Sequence, residues 1–396
     1  MTDPLGQSQV LPYLVGLSKG GYKITLLSFE KPDRYKEHRE KIESICTDNN
    51  IDWYPETYSS NIPVLAPIYN VMKMIRKAKA LHHIKQFNII HCRSYLSALV
   101  GQYMKKKYGT KFLFDMRGFW ADERVDGGLW NLSNPVYRRI YKYIKKKEVQ
   151  FINEADAIVS LTQCAVDEIH TWKNIIHQPV PIQVIPCCAD LKLFNPSSSS
   201  AKERDILKHE LGISNSDFII SYIGSLGTWY MLNEMLDFFK TLLSKKPNTK
   251  FLFITNDPGD YIKKKALHKN IPLDAIIITI TTRNKMPLYI SISNYNLFFV
   301  LPSYSKKASS PVKMGEAMGM GVPLICNNGV GDVSSILNDT KSGYSIDHFS
   351  LDEYERVVEL IFKNEIKQED ILNGAVKYYS LEKGIEKYIS VYNSLK

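Results

Sequence analysis

The chain has 396 residues, 44% of them hydrophobic and 23% charged, and a formal net charge of +10; this is enough chain for two or three domains with large cores. No apolar run reaches the ~18–20 residues of a membrane span and no signal peptide precedes the first helix, which excludes a helical membrane protein and reads as cytoplasmic. The six cysteines, Cys46, Cys92, Cys164, Cys187, Cys188 and Cys326, lack C-x-x-C spacing, which excludes a zinc site or disulfide framework and reads as buried reduced thiols.

Strand-like apolar runs alternate with longer periodic stretches, the pattern of parallel α/β layers. Strands are expected at 24–29, 89–92, 112–114, 157–161, 182–186, 218–223, 251–255, 275–280, 297–301 and 322–326. Residues 1–9, which include Gly6, read as a polar loop leading into a helix that ends near Gly20-Gly21, with a strand directly after it. A doubly wound domain begins instead with a strand, central and buried on both faces. Losing its roughly five apolar side chains would cost on the order of 10 kcal/mol, comparable with a domain's whole stability of about 5–15 kcal/mol. The natural chain is therefore expected to begin upstream of Met1, and an upstream reading without a short apolar run would contradict this.

A charged helix over 36–49, a Pro-rich loop around 62–67 and a basic helix over 69–86 follow. The next strand delivers His91 and Arg93 at its C-terminal end, the edge where open α/β sheets place ligands, although one His after a strand is also an ordinary structural residue. After the strand at 111–114 comes Asp115-Met-Arg117-Gly-Phe119-Trp120-Ala-Asp122-Glu123-Arg124. Charges of both signs mixed with aromatics suit a sugar site, since rings cover C–H faces and charged groups take hydroxyls. The competing reading is a loop closed by its own salt bridges.

Residues 1–196 carry 27 Lys+Arg and 19 Asp+Glu, a net of +8, whereas the remainder carries 24 and 22, a net of +2. The surplus concentrates at Lys105–Lys107 and in 137–147, where tyrosines alternate with cations on an expected helix. Such a segment fits an anionic membrane surface; nucleic acid competes as a partner, and so does a plain solvated helix with Tyr and Ile packed inward.

Residues 187–200 read as a linker, followed by a charged helix to 211. The second domain opens with a strand and a turn carrying Gly224, Ser225 and Gly227, where the backbone can approach a phosphate. Arg283, Lys306 and Lys307 fall at strand or helix ends expected to face the same cleft. The most informative stretch is 309–332, read as a polar lead-in, a helix over 312–320, a buried strand and a Gly-rich loop. Ser309 or Ser310 is placed to cap the helix, with Pro311 in its first turn. Lys313 and Glu316 share a face beside the helix start, a position that favours an anion. A cation there suits a diphosphate, and a carboxylate one turn on suits ribose hydroxyls. A surface i,i+3 ion pair is the bland alternative; the glycines within Met-Gly-Glu-Ala-Met-Gly-Met-Gly weigh against it, because they imply close backbone approach to something. No G-x-G-x-x-G follows a strand, which weakens a NAD-dependent reading. The last helix, 381–395, is expected to pack back across the domain junction.

With these residues assembled, the chain resembles the retaining family-4 glycosyltransferases over essentially its full length, and in particular bacterial members that assemble polysaccharides. Asp3-Pro-Leu-Gly6-Gln-Ser-Gln resembles the acceptor-side glycine loop, Ile185-Pro-x-x-x-Asp190-x-x-x-Phe194 the family's linker motif with Cys187 for its usual Asn, and Tyr222-Ile-Gly-Ser-Leu-Gly the opening of the donor domain. Ser310-Pro-x-Lys313-x-x-Glu316 with Gly321-x-Pro323 resembles a variant donor motif. The resemblance implies the GT-B fold, two Rossmann-like domains facing a cleft: 1–190 on the acceptor side, a linker over 191–210, a nucleotide-sugar domain over 211–380 and a crossover helix over 381–396. It also implies that Lys313 holds the donor diphosphate and Glu316 the ribose, with Gly224, Ser225, Gly227, Arg283, Ser309 and Ser310 around the donor. Gly6, His91 and Arg93 would lie on the acceptor side, and Arg117 stands where many relatives have a His. Asp115, Asp122 and Glu123 are candidates for acceptor positioning. The family's second Glu, eight residues before Glu316, is here Ala308; Lys307, Ser309 or Ser310 is available in its place.

The implied activity is metal-independent transfer, with retention, of a sugar from a nucleoside-diphosphate sugar to a glycan or lipid-linked acceptor in cell-surface polysaccharide synthesis. No cofactor is expected, and no D-x-D stands at a strand end. The implied setting is the cytoplasm, at the inner face of the membrane where 137–147 makes contact, without nucleic acid. A sugar-nucleotide 2-epimerase of the same fold and a non-catalytic nucleotide-sugar binder are the alternatives.

Overall fold

The computed structural model describes residues 1–60 and 65–396. It divides into two compact units, Met1–Pro186 with Leu381–Lys396, and Cys187–Ser380.

The first unit contains two parallel sheets. β1 (Ile24–Glu30) pairs with β2 (Ile51–Thr57), and β3 (Ile89–Arg93), β4 (Lys111–Asp115), β5 (Ala157–Ser160) and β6 (Ile182–Val184) pair in chain order. Among the described residues, the β1 edge away from β2 and the β3 edge away from β4 carry no ladder partner. β4 is buried along four of its five residues, whereas β1 and β3 are mostly half-buried. Leu27 of β1 and Ile90 of β3 nevertheless pack on one cluster around Ala78, Val100 and Met104. The C-terminal helix Leu381–Ser394 belongs to this unit. It lies on the helix Leu11–Lys19, where Tyr13 meets Tyr388 edge-on at 5.3 Å.

The second unit is a six-stranded parallel sheet ordered β12-β11-β10-β7-β8-β9, from β7 (Phe218–Ile223), β8 (Thr249–Ile254), β9 (Ile276–Thr279), β10 (Tyr295–Leu297), β11 (Leu324–Asn327) and β12 (Gly343–Ile346). The first strand is central and the order reverses between β7 and β10, the kind of switch point beside which open α/β sheets bind ligands. Fully buried Phe238, Phe239, Phe251 and Phe253 fill one face of the sheet.

Several expectations are corrected. Residues 1–9 are not a loop: Pro4–Gln9 is a short helix with Pro at its first position, where the fixed φ and missing N–H cost nothing. β2 was not expected because Pro55 interrupts it, yet an edge strand tolerates Pro. β12 has four residues including Gly and Ser, too short for a periodic signal. The strand expected at 297–301 lies earlier, because Asn327 Oδ1 accepts the Val300 N–H in place of a ladder carbonyl. The helix expected over 69–86 spans Leu65–Lys85, so the Pro-rich loop around 62–67 falls partly in helix and otherwise outside the described residues. None of the six cysteines is joined in a disulfide, and all but Cys164 are buried.

The glycines of the helix Val312–Gly319 serve packing within the chain. A Cβ on Gly315 would sit 3.0 Å from Tyr379, and one on Gly319 would sit 2.9 Å from both the Phe194 carbonyl oxygen and Leu191 Cδ2. Gly319→Ala should therefore lower stability by about 1–3 kcal/mol through overpacking, against a helix-propensity gain of at most about 1 kcal/mol; a denaturant midpoint that rises with unchanged slope would contradict this.

Candidate donor and acceptor sites

In the second unit, β7 ends at a turn where Gly224 (φ 94°) and Gly227 (φ 49°) take conformations that side-chain-bearing residues avoid. The turn is held by a residue the sequence reading missed. Asp257, after β8, accepts from Ser225 Oγ at 2.9 Å and from the Leu226 N–H, and its own N–H is fixed by Thr255 Oγ1 at 3.0 Å. Thr255-Asn-Asp257-Pro-Gly at a strand's C-terminal end was the available signal. The Ser225 hydroxyl thus shapes the turn.

Beside this turn stands Lys313, in the first turn of the helix Val312–Gly319. Its residue is 8% exposed, and Nζ is buried without a hydrogen-bond partner. Nζ lies 3.5 Å from the Tyr230 ring centroid, 4.0 Å from that of Tyr222 and 5.8 Å from that of Phe298; a Cβ on Gly224 would be 3.8 Å away. Burial pushes the amine well below the usual lysine range, against the opposing pull of Glu316, Cys326 and Asp257.

Glu316, one turn on, is also buried, but its partner is Arg283, whose Nη1 donates at 2.8 Å. Burial raises the Glu316 pKa, and the nearby Arg283 and Lys313 lower it. The surface i,i+3 pair is overturned: both residues are buried, and each has its own surroundings. Arg283 lies 5.2 Å from the centre of the Phe194 ring, so the segment from Asp190 to Phe194 ends under the cation that holds Glu316. Asp190 closes that segment by accepting the Lys192 N–H, and its carbonyl accepts the Phe194 N–H.

The expected serine cap is corrected. The N-cap is Pro311 without a side-chain cap bond, and Ser310 Oγ accepts the Cys187 N–H at 3.1 Å. The Ser309 N–H donates to the Lys306 carbonyl, and Ala308 is buried. Lys306 is buried with Nζ 3.5 Å from the Trp229 ring centroid, whereas exposed Lys307 lies over Tyr304.

In the first unit, His91, Arg93, Asp115 and Arg117 come together at the C-terminal ends of β3 and β4. Asp115 Oδ2 accepts the Tyr388 hydroxyl at 2.9 Å and lies 3.4 Å from His91 Nε2 and 3.6 Å from Arg93 Nη1; Arg117 Nη1 is 3.7 Å from Oδ1. His91 Nδ1 is 3.0 Å from the Tyr392 hydroxyl. Burial alone would raise the Asp115 pKa, but Arg117, His91 and Arg93 outweigh it and hold the carboxyl well below its usual range. Two non-glycine residues here, Ser94 (φ 71°) and Arg117 (φ 58°), take the left-handed region, a strain that concentrates at functional positions. Sequence reasoning missed Tyr388 and Tyr392, whose i,i+4 spacing on the last helix was the signal.

The other first-unit candidates fall elsewhere. Asp122 accepts the Tyr141 hydroxyl at 2.7 Å and pairs with Lys145 at 2.8 Å, and Lys145 also pairs with buried Glu148. These partners come from the helix Pro135–Glu154, outside the loop, and tie down the acidic residue beside half-buried Glu123. Gly6 lies in the helix Pro4–Gln9, where a Cβ would be 2.6 Å from the Met1 carbonyl oxygen. The basic segment lies on the helix Pro135–Glu154, with Val136, Arg138, Arg139, Lys142, Tyr143 and Lys146 exposed and Lys145 turned inward. Among the described residues, no helix is long and apolar enough to cross a membrane, and no three His, Cys, Asp or Glu residues form a potential metal cluster.

Two Rossmann-like units, with a lysine and a carboxylate at the switch point of the second, define the GT-B class of glycosyltransferases. The family model Glycosyltransferase Family 4 matches residues 9–193, and Glycosyl transferases group 1 matches residues 203–378. The chain belongs to the family-4 glycosyltransferases. The D-inositol 3-phosphate glycosyltransferase of Mycobacteroides abscessus is 18% identical over 68% of this chain and 57% of its own length, so the match spans little more than half of that relative. Anabaena Alr3699/HepE, solved in complex with UDP, superposes with a TM-score of 0.70 at 14% identity, covering 98% of this chain and 97% of that one. The sucrose-phosphate synthase of Thermosynechococcus elongatus gives 0.68 at 15% identity, covering 94% and 98%.

A buried amine without acceptors is unfavourable to the fold. Lys313→Met should raise the stability of the ligand-free protein by about 1–3 kcal/mol at neutral pH. Because the folded-state pKa is depressed, the unfolded chain binds the extra proton. Wild-type stability should therefore rise with pH up to the unfolded lysine value of about 10.4, and the variant should lack that rise. Equal pH profiles in chemical denaturation would refute the assignment.

Proposed function

We propose that the protein transfers a sugar, with retention and without a metal, from a nucleoside-diphosphate sugar to a glycan or lipid-linked acceptor in cell-surface polysaccharide synthesis. The observation that carries this reading is Lys313: a buried amine lacking any acceptor, beside a glycine turn and at a helix start, with a carboxylate one turn further on. Cleavage of the donor's glycosidic bond builds negative charge on the departing diphosphate. Lys313 and the backbone N–H groups of the Gly224–Gly227 turn stabilise that charge. Glu316, positioned by Arg283, takes the ribose hydroxyls. The acceptor is held by the first unit around Asp115, Arg93 and Arg117, whose guanidinium groups suit hydroxyl or anionic oxygens. No cofactor takes part. HepE bound to UDP supports a nucleotide donor, and retention follows from the family resemblance.

The test is thermal shift against UDP-, GDP- and TDP-sugars, followed by product analysis. One donor and its free diphosphate should stabilise the protein, by about 2.7 kcal/mol at a hundredfold excess over Kd, and Lys313→Ala should lose most of that shift. Isomerised donor or free nucleoside diphosphate without an acceptor product would favour the 2-epimerase; binding without turnover across a full donor and acceptor panel would favour the non-catalytic binder.

We further propose that the protein works in the cytoplasm and attaches to the inner membrane face through Val136, Arg139, Lys142, Tyr143 and Lys146 on the exposed face of one helix. Each cation near an anionic surface contributes about 1 kcal/mol. Arg139→Glu with Lys142→Glu and Lys146→Glu should abolish co-sedimentation with phosphatidylglycerol vesicles while leaving the melting temperature unchanged. Undiminished sedimentation of the triple variant would remove this attachment.

A further inference from the structure

Lys313 Nζ is buried beside three aromatic rings and has no hydrogen-bond partner. Tyr222 from β7 and Tyr230 from the segment after it face the amine with their rings, and Phe298 stands further out. Of the acids, Asp257 after β8 spends its oxygens on Ser225 and Leu226, and Glu316 on the same helix spends one on Arg283. Cys326 of β11 completes the ionisable surroundings; it is buried, and burial keeps its thiol protonated. One ring further along, Trp229 carries Lys306, a like charge, on its face.

An ammonium in this place would have three N–H donors and no acceptor. Ring faces attract a cation, but by less than desolvating it without hydrogen bonds costs. A neutral amine has no such conflict and fits the aromatic box. A diphosphate reverses the balance, because its oxygens supply both the acceptors and the countercharge.

We propose that Lys313 is a proton-coupled latch for the donor: an uncharged amine in its aromatic box when the site is empty, and an ammonium once the diphosphate is bound, so that each donor carries in a proton. The inference rests on the reading of Lys313 as the diphosphate ligand. Nζ is buried, so the coupling includes a movement of the Lys313 side chain past Gly224 or of the Tyr230 ring away from it. The proton comes from buffer and returns when the nucleotide leaves. While the free amine is neutral and the bound one charged, donor affinity falls as pH rises, approaching tenfold per pH unit.

The experiment is titration calorimetry of the full chain with UDP-glucose and with GDP-mannose, carriers whose phosphates exchange no proton near neutral pH. It is run at one near-neutral pH in HEPES and in Tris, which differ in ionisation enthalpy. The expected result is a buffer-dependent heat equivalent to about one proton taken up per donor, with Kd rising as pH rises. Lys313→Arg, charged throughout, should bind with the same heat in both buffers, and any residual binding by Lys313→Met should also lack the difference. Binding by the wild type with identical heats in both buffers overturns the latch and leaves the nucleotide-sugar reading standing, as does proton uptake that persists in Lys313→Met. No binding of either carrier, nor of any UDP-, GDP- or TDP-sugar in the thermal-shift panel, defeats the donor reading, and the latch with it.

Discussion

The second unit is arranged around a single unfavourable contact, an amine sealed among aromatic rings with nothing to accept its protons. Judged by stability alone the position calls for Met or Leu, since replacing buried charge by apolar volume is commonly neutral or stabilising. Natural sequences depart from local consistency mainly where function requires it. What distinguishes Lys313 from an ordinary buried lysine is that both nearby carboxylates are turned to other partners: Asp257 secures the glycine turn and Glu316 holds Arg283. The amine therefore stays unmatched within the second unit.

Such a group is useful only if its helix does not yield, and several contacts hold that helix. Gly315 and Gly319 let Tyr379 and Phe194 press against its backbone, and Ser310 at its start takes the Cys187 N–H. The Ala189 N–H donates to the Tyr379 carbonyl, so the two ends of the second unit's chain meet beside the helix Val312–Gly319. This gives a physical role to the segment from Cys187 to Phe194. It supports the helix Val312–Gly319, and Phe194 lies under both Gly319 and Arg283.

Most of the fold was legible because parallel strands buried on both faces read as unbroken apolar runs, and the second unit is built almost wholly from them. The elements that escaped are those whose context overrides local pattern: β2 with Pro55 on an edge, short β12, and the helix at Pro4–Gln9. Lys313 and Glu316 were legible as a pair because their spacing on a helix start carries chemical meaning. Their burial, and the partner each has, were not, since Arg283, Tyr230 and Asp257 reach them only through the packing of separate strands. In the same way nothing in the spacing of Asp115 announced Tyr388, which comes from the far end of the chain.

The polar centre of the first unit inverts the logic of the second. There the charged group at the middle is Asp115, and four groups surround it: Tyr388, His91, Arg93 and Arg117. A carboxyl held so far down in pKa has almost no tendency to take a proton at neutral pH, so it is a poor general base. Its effect is on its neighbours. It draws two guanidinium groups close together at the strand ends and fixes the ring of His91 between itself and Tyr392. Asp115 thus acts as an electrostatic anchor that aligns the two guanidinium groups and the imidazole around it.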